Sequence, residues 1–174
     1  GVVLWGTAAA AAVAVLVGGA LVARGTGPAQ VTSSGGASGG AVELSGTDPI
    51  TGREVSLASY AGRPVVLAIW ASWCHGCNDE APHLAEVAKR RTDVAFVGLN
   101  FQDSGDGARW FYGEYGWDFP SIADPSGEKA LALGLQGTPT TIFLDREHRE
   151  IGRIVGATNE AGFESAIDQA LAAT

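Results

Sequence analysis

The sequence predicts a three-layer α/β fold, with a central mixed sheet, helices on both faces and a short N-terminal hairpin extension. Three observations carry this. Val65 to Trp70 is a continuous apolar run, the pattern of a strand buried on both faces. Such runs alternate with amphipathic segments of helical period in the order β, β, α, β, α, α, β, β, α, which calls for a sheet with helices packed against it. The 174 residues, 46% hydrophobic and 17% charged, suffice for one domain with extensions and a sizeable core.

The chain opens on a segment of a different kind. Val2 to Ala23 holds no charged residue. At 1.5 Å per residue this stretch spans roughly 33 Å, enough to cross the hydrocarbon core of a bilayer. A cleaved signal peptide has an apolar region of only about 7–15 residues and ends in a small-x-small site, which this run lacks. Residues 1–24 therefore read as an uncleaved transmembrane signal anchor. Residues 25–41 are Gly, Ser, Thr and Ala with one Pro and almost no large apolar side chain. That composition buries too little surface to offset ordering entropy, so a flexible linker is expected.

Residues 42–174 form the working domain. Val42-Glu43-Leu44 and Val55-Ser56-Leu57 around Thr51-Gly52 read as the hairpin. The Val65–Trp70 strand follows Gly62-Arg63-Pro64. Cys77 to Arg91 has apolar residues at 81, 84, 85, 87 and 88 and a basic last turn that suits the helix dipole, with a kink expected at Pro82. Val94 to Leu99 is a strand, and Asp106 to Tyr115 a helix. Glu128 to Leu133 is a short helix closed by Gly134. Thr140 to Leu144 and Ile151 to Val155 pair across a charged turn. Asn159 to Ala172 is a last helix with Phe163, Ile167, Ala170 and Leu171 on one face.

A net charge of −8 argues against a nucleic-acid partner, which needs a basic face. Its plain meaning is solubility. The chemistry lies in Trp73-Cys74-His75-Gly76-Cys77, which contains both cysteines of the chain. A zinc site of this kind normally has a second Cys or His pair at regular spacing, and His75, His83 and His148 do not supply one. Two inert buried thiols would leave unexplained why the pair follows a buried strand and opens a helix. At a helix N-terminus, Cys74 faces unpaired N–H groups and the positive end of the dipole, both of which stabilise thiolate. Cys77, one turn deeper, is placed to attack a mixed disulfide at Cys74. A protonated His75 would lower the Cys74 pKa further; a solvated loop role for it is equally open.

Gly137-Thr138-Pro139-Thr140 stands just before a strand. An X-Pro bond adopts cis at modest cost, and such a turn offers backbone to an extended peptide. Taken with Trp70-Ala71-Ser72-Trp73-Cys74-His75-Gly76-Cys77, Gly62-Arg63-Pro64-Val65-Val66-Leu67 and Pro82, this resembles the thioredoxin superfamily. More narrowly, it resembles the exported TlpA/ResA-like thiol-disulfide oxidoreductases, over roughly Val42 to Thr174.

The resemblance implies a thioredoxin-like fold, with Cys74 as the attacking cysteine, Cys77 as the resolving one, and Pro139 a cis-proline facing them. Trp73, His75, Thr138 and Pro139 would contact substrate. Ala68 occupies the position where thioredoxins carry a buried Asp, so an acid serving Cys77 must come from elsewhere. Asp103 is the nearest match to the ResA-like acid, and Glu80 a second candidate. The expected activity is exchange with protein thiols and disulfides. It would be reductive, as in keeping apocytochrome c cysteines reduced, with an oxidative-folding role or a copper- or haem-delivery chaperone as rivals. No metal or organic cofactor is expected. The expected partners are protein substrates, a recycling redox partner and the membrane, around a monomer. Arg24 alone would place the domain inside by the positive-inside bias. The thiol chemistry outweighs it, and the expected location is extracytoplasmic, on a single-pass cell-membrane anchor.

Overall fold

The computed structural model describes Gly1 and residues 39–173. The expected anchor over residues 1–24 and most of the 25–41 linker lie outside the described residues, among which no helix is long and apolar enough to cross a membrane.

The hairpin comprises β1 (Ser45–Thr47) and β2 (Glu54–Ser56), antiparallel with Ser45 opposite Ser56. Its first strand begins three residues later than the apolar pattern suggests, and polar turn chemistry is the reason. Buried Asp48 accepts the N–H groups of Ile50 (2.7 Å) and Thr51 (2.9 Å) on one oxygen and that of Ser121 (3.0 Å) on the other. The hairpin is thereby closed and tied to the main sheet. Val42 instead donates its N–H to the His148 carbonyl.

The sheet has five strands in the order β5-β4-β3-β6-β7. These are β3 (Val65–Trp70), β4 (Ala95–Phe101), β5 (Ser121–Asp124), β6 (Thr140–Leu144) and β7 (Glu150–Val155). β3 runs parallel to β4, which runs parallel to β5; β6 is antiparallel to both β3 and β7. The mixed sheet matches expectation, but β5 has no counterpart in the sequence reading. It is four residues long with Ser121 and Asp124 at its ends. Asp124 is buried because its carboxylate accepts the N–H groups of Lys129 and Ala130, at the start of α3 (Glu128–Ala132).

All six residues of β3 are buried, and they divide by parity. Val66, Ala68 and Trp70 face a core shared with α1 (His75–Arg90), α2 (Gly105–Tyr115) and α4 (Glu160–Ala172). Val65, Leu67 and Ile69 face a second core under the hairpin, the 3₁₀ turn Leu57–Tyr60 and α3. Both faces are covered, but unequally: three long helices on one, short elements on the other.

α1 starts two residues earlier than expected and continues through exposed Pro82 without a break. Its basic last turn works through pairs. Arg90 reaches Glu160 and Glu164, and Arg91 reaches Glu164, Asp168 and Asp93, joining α1 to α4.

One packing detail positions the functional end of the molecule. The Trp70 indole lies across β4 over Gly98, where a Cβ would stand 2.8 Å from Nε1, and donates to Ser121 Oγ at 3.0 Å. Phe111 of α2 stacks on it at 4.4 Å between ring centroids. The end of β3, four residues before Cys74, is thus fixed by its neighbours in the sheet and by α2.

Candidate active site

Cys74 is the N-cap of α1, in extended backbone conformation, and its Sγ accepts the N–H of Cys77 at 3.1 Å. The two sulfurs are joined as a disulfide with Cα atoms 5.2 Å apart. Cys74 is 5% exposed and Cys77 1%, so Cys74 is the more accessible of the two sulfur-bearing residues. Helix N–H groups and dipole give that sulfur, once reduced, the stabilisation of an anion.

The approach to Cys74 is pinned. Asp103, in the turn after β4, accepts Ser72 N–H (2.6 Å), Ser72 Oγ–H (2.7 Å), Asn100 Nδ2 (2.9 Å) and Ser104 N–H (2.8 Å). Four donors occupy this carboxylate, and they tie the end of β3 to the start of α2. Trp73 is 58% exposed, and its indole N–H donates to the Gln102 carbonyl at 3.0 Å, so a large apolar ring is presented beside the disulfide. His75 is almost wholly exposed, with its Nε2 3.7 Å from the Asp79 carboxylate.

The Thr138–Pro139 peptide bond is cis. Pro139 is buried and Thr138 half-buried; the Pro139 carbonyl accepts the Gly156 N–H at 2.9 Å, and Thr140 Oγ1 donates to Gly137 O at 2.7 Å. Gly76 explains how close this turn comes to the motif. A Cβ there would stand 3.1 Å from Pro139 Cδ and 3.6 Å from the Ala157 methyl. The proline turn and the segment after β7 therefore both abut the dipeptide between the cysteines.

Glu80 lies one turn beyond Cys77 on the inner face of α1, 3% exposed, and accepts the Thr158 N–H at 3.3 Å. Burial pushes its carboxyl up to about 8, and the Thr158 N–H offsets this only in part. It is an acid held in reach of neutral pH three residues after Cys77 on the same buried face of α1, which suits proton transfer. From the sequence alone Glu80 is the second candidate, after Asp103. The signal was present: Cys77, Glu80, Ala81 and Leu84 share one buried stripe, and an acid in that register is not a solvated one. The contribution of residues 157 and 158 had no sequence signal, because it arises only where β7 ends.

The sheet order, the dithiol at the start of the helix after the central strand, and the facing cis-proline turn together define a thioredoxin-like protein. Residues 41–171 match the Redoxin family, and the chain belongs to it. The thiol:disulfide interchange protein HelX of Rhodobacter capsulatus is 32% identical over 114 residues, which cover 65% of this chain and 64% of that protein. The thiol-disulfide oxidoreductase ResA of Bacillus thuringiensis is 25% identical over 117 residues, covering 66% and 68%. A DsbF homologue from Corynebacterium diphtheriae has a similar structure, with a TM-score of 0.69 and 31% identity over 82% of this chain and 99% of that one. The chain spans just under two thirds of the length of HelX.

Proposed function

We propose that the protein is an extracytoplasmic thiol-disulfide oxidoreductase that reduces protein disulfides, tethered by residues 1–24 and the 25–41 linker and working as a monomer. The unequal placement of the two sulfurs carries the reading: Cys74 at the helix cap within reach of a partner, Cys77 enclosed behind it. The names of HelX and ResA agree with it. Apocytochrome c cysteines are the leading substrate, from the ResA-like resemblance.

In the reductive direction the Cys74 thiolate attacks one sulfur of a substrate disulfide, forming a mixed disulfide and releasing the other sulfur as thiolate. Glu80 takes the proton of Cys77. The Cys77 thiolate then attacks Cys74 Sγ, closes the Cys74–Cys77 disulfide and expels the second substrate thiolate. Two electrons pass from dithiol to substrate, the two released thiolates take up protons, and a dithiol partner recharges the protein. Trp73 and the Thr138–Pro139 turn line the approach, with His75 at its edge. Asp103 acts by holding Ser72, rather than on Cys77 as the sequence suggests.

Cysteine variants test the assignment. Cys74→Ser abolishes exchange, whereas Cys77→Ser accumulates mixed disulfides on Cys74. Partners trapped on Cys77 would reverse the roles. Stoichiometric metal binding with no exchange activity would replace the reading with that of a metal-delivery protein.

A further inference from the structure

The two carbonyls that flank Trp73 are held by one side chain. Asn78, in the first turn of α1, donates Nδ2 to Ser72 O at 2.9 Å and to Cys74 O at 2.7 Å. Its own backbone N–H also reaches Cys74 O, at 3.1 Å. Its Oδ1 accepts the Tyr115 hydroxyl at 2.9 Å. With both amide hydrogens on carbonyls, the amide fits only one way round, and the tyrosine holds it there. Tyr115 is the last residue of α2, with its ring 4.8 Å from Phe111, which stacks on Trp70. The packing of α2 is thereby transmitted to the backbone at Cys74.

The consequence falls on the Cys74 sulfur. The direction of the Cys74 carbonyl is set by ψ, which also sets where Sγ lies relative to the Cys77 N–H. Anchoring the carbonyl fixes the cap. It also keeps the negative ends of two peptide dipoles pointed at Asn78 and away from the sulfur, leaving N–H groups to face a developing thiolate.

We propose that Asn78, oriented by Tyr115, is a positioning residue that holds Cys74 in its capping conformation and so stabilises the thiolate when the disulfide opens. This rests on Cys74 being the attacking cysteine. The pair is a contact between α1 and α2 that neither the motif nor the proline turn requires. The charged and titratable groups around the segment are His75, Asp79 and Glu80 on α1, Asp103 after β4, and Glu114 and Tyr115 on α2; of these only the Tyr115 hydroxyl is changed in the variants below.

The test uses the reduced full-length chain. Alkylation by iodoacetamide is followed from pH 4 to 9, with the modified cysteine identified by mass, for the unsubstituted protein, Asn78→Ala, Tyr115→Phe and the double variant. Asn78→Ala should shift the alkylation midpoint upward, cutting the thiolate fraction at pH 5 by about three- to tenfold. It should also make the couple harder to reduce in equilibration with glutathione. Tyr115→Phe should act in the same direction and more weakly. The double variant should match Asn78→Ala, because Tyr115 acts only through Asn78. An unmoved midpoint overturns the proposal even if the thermal midpoint falls, as do strictly additive shifts. Tyr115→Phe removes one hydroxyl and keeps the ring packing, so it decides the matter if Asn78→Ala does not fold. First alkylation on Cys77 in the unsubstituted protein removes the premise instead, and the proposal with it.

Discussion

Glu80→Gln has effects of opposite sign on stability and rate. In the unfolded chain the carboxyl titrates at the ordinary 4.5; in the fold, burial raises it to about 8. Between those values the folded protein keeps a proton that the unfolded chain has lost. Stability therefore falls as pH rises through this window, by about 1.4 kcal/mol per pH unit. It is full below pH 4.5, and the loss is complete above pH 8. From 4.5 to about 8 this amounts to about 5 kcal/mol, an upper bound because water entry and side-chain relaxation soften the cost of a buried charge. Glutamine keeps the volume and an acceptor for Thr158, and it never ionises.

Unfolding of the oxidised protein in urea at a series of pH values should then give nearly equal stability for the two proteins at pH 4. Glu80→Gln should be the more stable by several kcal/mol at pH 8.5. Turnover of a peptide disulfide should move the other way, falling about a hundredfold at pH 7 because the enclosed Cys77 thiol has lost its proton acceptor. The deficit should narrow as hydroxide takes over at high pH. Parallel stability curves would show that Glu80 is not a protonated buried acid. A rate within twofold of the unsubstituted protein across pH 6–9 would show that Cys77 does not depend on it.

Asp103→Asn should cost about 2 kcal/mol, since the amide turns its NH₂ toward at least one of the four donors. Gly107→Ala should have the same effect from the other side, because its Cβ would stand 2.3 Å from Ser72 Oγ and 2.8 Å from Asp103 Oδ1. Both should slow exchange while leaving the Glu80-dependent pH profile in place; a displaced profile would return Asp103 to proton transfer. The Cys74/Cys77 couple should equilibrate with glutathione at about −270 to −200 mV, in the range of thioredoxin and glutaredoxins, and a value near −120 mV would make the protein an oxidant.

Periodicity carried much of the fold into the sequence. β3 and β6 are apolar at every position but the threonines of β6, and their bounds are those the runs suggest. The helices end within a few residues of their apolar stripes. β5 was hidden because its burial is secured by polar partners: Ser121 bonds Trp70 and Asp48, and Asp124 caps α3. The hairpin slipped for the same reason, since Asp48 rather than Val42 or Leu44 decides its register. In the candidate site, the placement of Cys74 and Cys77 at the start of α1 and the cis bond before Pro139 were legible because both are tied to local motifs. Asn78 was not, because its role depends on a hydroxyl from α2, 37 residues away.

The two sulfurs make opposite demands on their surroundings, and the fold meets them with one helix. Cys74 needs N–H groups aimed at it and carbonyls turned away; the cap geometry and the bonds from Asn78 supply both. Cys77 is enclosed one turn before Glu80, whose carboxyl burial pushes up to about 8, and on the proposed reading it waits there until a mixed disulfide forms. A cation near the pair would stabilise both thiolates and erase the difference. His75, the residue after Cys74, points to solvent with its Nε2 3.7 Å from the Asp79 carboxylate. The order of events follows from this asymmetry. On the proposed reading Cys74, at the helix cap, attacks first, and Cys77 attacks second, once Glu80 has shed its proton and can take that of the thiol. On this reading thiolate stabilisation at Cys74 comes from backbone groups that Asn78 orients, which supports the proposed couple of moderately negative potential and the proposed reductive direction.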